Sequence, residues 1–140
     1  MDKAVAVAAL ALALIATGCG GGIGGETTAA VLCDDAAFRA QDEELYVTKT
    51  AVSNAGEGGA GASAAVLRDL QRARKALGDY LAAHPPCADD LQQIAAMEKT
   101  ALDELDAAIT ALERRDDAGS NLTKALASLR SAQAALLAGE

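Results

Sequence analysis

From about residue 28 onward, apolar side chains recur at helical rather than strand spacing. Val31, Phe38, Leu45 and Val52 fall every seven residues, flanked by Cys33, Ala37, Ala40 and Ala51. That pattern predicts a first helix over about 28–54. Asp34 and Asp35 lie in its early turns, where the helix dipole favours negative charge. Its later part, Leu45–Thr50, is locally strand-like in composition. After a glycine-rich loop over 55–62, a second helix is expected over 63–83. Ser63 is placed to cap it, and Val66, Leu70, Ala73, Leu77 and Leu81 form its apolar stripe. Lys75 can meet Asp79 one turn on. His84-Pro85-Pro86 ends this helix, because a residue preceding proline is pushed out of the α region.

A third helix is predicted over 87–115, with Asp89 and Asp90 in its first turn. Its stripe reads Leu91, Ile94, Met97, Leu102, Leu105, Ile109 and Leu112. Asp116-Asp117-Ala118-Gly119 breaks it, and Ser120 is placed to cap a fourth helix over 120–138. There Leu122, Leu126, Leu129 and Leu136 share a face that Gln133 interrupts. Four helices with short connections predict an all-α, antiparallel up-down-up-down four-helix bundle. Two other arrangements fit the same pattern. One is a hairpin of the third and fourth helices with the first two packed loosely beside it. The other is a coiled-coil oligomer, because alanine-rich faces leave little bulk for a monomeric core.

Composition narrows the choice. Of the 140 residues 51% are hydrophobic but only 2% aromatic, with no tryptophan, which disfavours a β-sandwich or barrel. The formal net charge of −8 argues against nucleic acid as a partner, since phosphate binding needs a basic patch.

Ahead of the helices, Met1-Asp2-Lys3 precedes the unbroken apolar run Ala4–Ala16. Its 13 residues suit a signal-peptide core and fall short of the roughly 20 that span a bilayer. The run ends in Ala16-Thr17-Gly18-Cys19. Small residues before a cysteine at this point resemble the lipobox of bacterial lipoproteins, in which the signal is cleaved before the cysteine and its thiol carries diacylglycerol. The resemblance implies that 1–18 is a signal peptide and Cys19 the lipid attachment site. It also implies a chain anchored to the cell membrane and facing the extracytoplasmic side. Gly20–Gly25 then makes 19–27 a flexible tether, and 28–140 is the helical bundle domain. With Cys19 acylated, Cys33 and Cys87 remain as a pairable set. A disulfide between them is expected outside the cytoplasm. Both stand near the start of parallel helices, the first and third, at one end of the bundle.

Candidate chemistry is sparse. Gly20–Gly25 and Gly56–Gly61 both fit G-x-G-x-x-G, but a dinucleotide site needs a strand and a parallel sheet around the motif. His84 and Cys87 have a metal-compatible spacing, with Asp89 and Asp90 close by. Zinc usually wants four ligands, however, and no second Cys/His pair exists. Haem ligation by His84 and Met97 would draw on separate helices without a supporting motif. There is one histidine and no G-x-S-x-G, so no nucleophilic triad is indicated. Asp42-Glu43-Glu44, Asp103-Glu104 and Asp116-Asp117 read as solvated faces, and Arg68, Arg72, Arg74 and Lys75 as a salt-bridged one. No catalytic residue, metal or cofactor is expected. The sequence therefore points to a non-catalytic, protein-binding or adaptor module held at the membrane by its lipid anchor. A small-ligand or metal carrier of the envelope, or a mobile-element surface exclusion factor, are the alternatives.

Overall fold

The computed structural model describes residues 32–58 and 62–139. The signal segment, Cys19, the tether, Val31 and the middle of the second glycine-rich stretch lie outside the described residues. Among the described residues there are five helices and no strand: α1 Asp35–Arg39, α2 Asp42–Gly58, α3 Ala64–Ala83, α4 Asp89–Glu113 and α5 Gly119–Ala138. The four long ones form the bundle. α2 packs against α3 and α5, and α4 against the same two, so α2 and α4 stand diagonally; the α4–α5 pairing is the most extensive.

The core follows three- and four-residue steps, the spacing of coiled-coil seams, widened at Ala51–Val52 and Ala101–Leu102. On α4 the buried positions are Leu91, Ile94, Glu98, Ala101, Leu102, Leu105, Ala108 and Leu112. On α5 they are Leu122, Ala125, Leu129, Ala132 and Leu136, with Ala118 just ahead of the helix. Leucine and alanine alternate along α5, and alanine is interleaved with leucine in the second half of α4. α3 contributes Leu70, Ala73 and Leu77. The remaining stripe runs Phe38, Gln41, Leu45, Thr48, Val52 and Ala55 and passes from α1 into α2 without losing register.

That passage corrects the expected first helix. The chain breaks at Ala40, whose backbone leaves the helical region at φ −85° and ψ 43°. The Gln41 side chain takes over a lost backbone bond, its Nε2 donating to the Phe38 carbonyl at 2.7 Å. Asp42, Glu43 and Glu44 then supply a fresh acidic first turn for α2. The strand-like stretch after Leu45 is fully helical, and α2 continues through Gly58, so Ala55–Gly58 is not the expected loop. Ala55 is wholly buried, and its packing holds the last turn despite the glycines.

Helix ends divide the same way. Ser63 accepts from the Val66 N–H, as expected. α3 stops at His84, ahead of the two prolines. α4 starts at Asp89, without a side-chain cap of its own. Asp35 supplies one from α1, its Oδ1 accepting from the Cys87 and Ala88 N–H groups at 2.6 and 3.3 Å. Ser120 does not cap α5. Asp117 Oδ1 accepts from the Gly119 N–H instead and starts the helix one residue early. At the end of α4, Arg115 takes a left-handed conformation with φ 61°. The Asp116 N–H reaches the Ala111 carbonyl and the Arg115 N–H reaches Leu112, a Schellman closure with arginine where glycine is usual.

Candidate functional site

The expected sulfur pair is brought together. Cys33 and Cys87 stand at disulfide distance, their Cα atoms 5.3 Å apart, on the exposed end of the bundle where α1 meets the α3–α4 turn. Around them a polar lattice seats α1. The Asp34 N–H donates to the Pro85 carbonyl at 2.9 Å. The Tyr80 hydroxyl lies 2.6 Å from the Ala37 carbonyl and 3.0 Å from that of Ala40, covering the open end of α1. Burial, helped by the Glu44 and Asp34 charges, pushes this phenol up and keeps it a donor. His84 stacks at a tilt on Tyr80, ring centroids 4.5 Å apart. It ends α3 and joins no cluster: among the described residues, no three His, Cys, Asp or Glu side chains are grouped to hold a metal ion.

The other sequence candidates are dispersed. Of the four basic residues expected to form a salt-bridged face, Arg72 pairs with Asp69, Arg74 with Asp106 and Lys75 with Asp79, while Arg68 is exposed. Such pairs add little stability each. Of Gly56–Gly61, Gly56 and Gly58 lie in the last turn of α2, with no strand before them among the described residues. Met97 is not a core residue; it is over a third exposed. Gln133 does not interrupt a core face. It is half-buried at the edge and accepts from Lys49 Nζ.

The place assigned to Met97 belongs to Glu98. Glu98 and Gln41 are both fully buried, and three of their oxygens have no donor: Gln41 Oε1 and both carboxyl oxygens of Glu98. Native interiors rarely leave such atoms unpaired. The signal was present in the register, since counting strict three- and four-residue steps from Leu91 and Ile94 lands on 98 and 101. Following hydrophobic identity instead selects Met97, which is exposed, along with Leu102, which is buried as expected.

Burial pushes the Glu98 carboxyl up to about 7 from its ordinary 4.5, and the Gln41 amide pulls it part of the way back. The folded chain thus holds this proton more tightly than the unfolded chain. Its contribution to stability is complete below about pH 4.5, declines as the pH rises to about 7, and stays lost above. Across that window the unfolding free energy should fall by about 3 kcal/mol. Glu98→Gln should flatten the slope. Urea denaturation at pH 4.5 and pH 8 checks this, and equal slopes in the two proteins would refute it.

Surface grooves lie between neighbouring helices and are open to solvent. One between α2 and α3 has Tyr46, Val47 and Thr50 on one wall and Ala73 and Ala76 on the other. A second, between α2 and α5, shares Tyr46 and adds Lys49, Leu126 and Arg130. Neither is lined by Gln41 or Glu98. No described helix is long and apolar enough to cross a membrane. No protein-family model matches the chain, and neither curated proteins nor solved structures yielded a match.

Proposed function

We propose that this chain is a bacterial envelope lipoprotein. Cys19 carries the lipid, 1–18 is removed, and the bundle is a non-catalytic module that binds another protein at the extracytoplasmic face of the membrane. The observation that carries the reading is the division of the three cysteines. Cys33 and Cys87 stand at disulfide distance, leaving Cys19 as the odd thiol directly behind an apolar run of signal-peptide length. A disulfide persists outside the reducing cytoplasm, which agrees with an exported chain. Two or three acyl chains would hold it stably, where one gives only marginal binding. Confinement at the membrane raises the effective concentration of the bundle near any partner in the same envelope. Open grooves flanking the exposed Tyr46 suit a protein surface better than a small ligand.

Cys19→Ser, or globomycin treatment, is expected to move the protein out of its processed, membrane-associated form and to abolish fatty-acid labelling. Membrane association and labelling that survive the substitution would refute the anchor. Crosslinking on intact cells followed by mass spectrometry addresses the partner. A reproducible protein neighbour supports the adaptor role, and thermal stabilisation by a metal or tetrapyrrole would replace it with the carrier role.

A further inference from the structure

Two fully buried polar side chains meet where the chain changes helix. Gln41 occupies the break between α1 and α2 and holds the Phe38 carbonyl through its Nε2. Glu98 projects from α4 into the same core, where both its oxygens and Gln41 Oε1 are buried without a donor, and the Gln41 amide is close enough to favour the charged carboxyl. The cations of these helices are paired with other groups or exposed to solvent. On α1 and α2, Arg39 pairs with Asp90 and Lys49 reaches Gln133. On α3, Arg72, Arg74 and Lys75 pair with Asp69, Asp106 and Asp79, and Arg68 is exposed. On α4, Lys99 pairs with Asp103; on α5, Lys124 and Arg130 are exposed. Of the acids on these helices, Asp90 and Asp103 are exposed and Glu44 and Glu104 half-buried, as is the Tyr80 phenol. A carboxylate at this position would therefore have one donor to turn to, the Gln41 amide already engaged with Phe38.

A charged carboxylate without a partner is far more costly to bury than a neutral acid. The least disruptive relief is local. α1 is five residues long, it closes one end of the bundle, and its only fully buried side chain is Phe38. Letting water in at the α1–α2 break would solvate the carboxylate while α2–α5 stay packed. Cys33 and Cys87 would keep the lifted segment attached to the α3–α4 turn.

We propose that Glu98 and Gln41 form a proton-operated latch on α1: a neutral Glu98 leaves the Gln41 amide on Phe38 and α1 seated, and loss of the Glu98 proton to solvent draws that amide away and releases α1. The latch rests on the burial and convergence of these two side chains and does not depend on the lipid anchor.

Hydrogen exchange on the full-length chain in mild detergent tests it, at pH 5.5 and pH 8.5 with labelling times corrected for the intrinsic rate. Protection of the amides of Phe38, Ala40 and Leu45, all hydrogen-bonded around the break, should fall at least tenfold at the higher pH. Protection along α5 should not change. Glu98→Gln should hold the first group at its low-pH protection throughout. Gln41→Met should leave them weakly protected at both pH values. The proposal is overturned if protection at the break is independent of pH, if it falls equally in all helices, or if Glu98→Gln shows the same fall. Carboxyl 13C NMR of Glu98 in the unmodified chain gives a reading free of any folding defect in the variants. Titration together with the exposed carboxylates would also overturn it.

Discussion

Replacing Cys33 and Cys87 together by serine is expected to lower the unfolding free energy by about 4 kcal/mol. The two positions are 54 residues apart, and a bond across that loop removes a large share of the conformations open to the unfolded chain. Both side chains are exposed, so the substitution leaves no cavity and the loss is carried by the unfolded state. Domains of this size have only about 5–15 kcal/mol in hand. The double variant should unfold at a much lower urea concentration, and reduction of the unmodified protein should reproduce the shift. A loss below about 1 kcal/mol would show either that the sulfurs do not pair or that the unfolded chain is already constrained there.

Phe38→Ala should cost a similar amount, about 3–5 kcal/mol. Phe38 is the chain's single phenylalanine and is wholly buried, though it sits on a helix of five residues. α1 has too few residues to be stable alone. Its place on the bundle rests on this ring, on the sulfur pair, and on the hydrogen bonds from Tyr80 and Asp34. Removing the ring leaves a void beneath a segment that cannot collapse freely, because Cys33 and Asp35 hold it to the start of α4. Phe38→Leu keeps most of the buried surface and should recover more than half of the loss. The urea midpoints of the three proteins measure it. Equal midpoints would mean that the ring contributes nothing to the fold.

The helical class was legible because long apolar periodicity is a strong signal, and three of the four predicted helices correspond to one observed helix each. The Ser63 cap, the proline stop and the Lys75–Asp79 pair are local events, and local sequence announces them. The break at Ala40 announces nothing. No glycine or proline marks it, and the three- and four-residue spacing runs through it from Phe38 to Leu45. It is stabilised by a tertiary arrangement, with Gln41 turned inward and Tyr80 supplied from another helix. The Ser120 cap failed for a related reason, since Asp117 three residues earlier offered a competing acceptor. Asp35 stands in the first turn of its own helix, as its sequence position indicates, and its carboxylate also caps α4, which local sequence does not announce. Glu98 shows the limit of reasoning from residue character: a carboxylate is expected outside, yet its register placed it inside.

The leucine–alanine seam between α4 and α5 has a kinetic corollary. The two helices are joined by residues 114–118 alone, so bringing them together closes a very short loop. Contacts made across short stretches of chain form soonest. The links from α2 to α3 and from α3 to α4 are equally short, so it is the more extensive packing of α4 on α5 that makes their hairpin the expected first template for α2, α3 and the sulfur-tethered end.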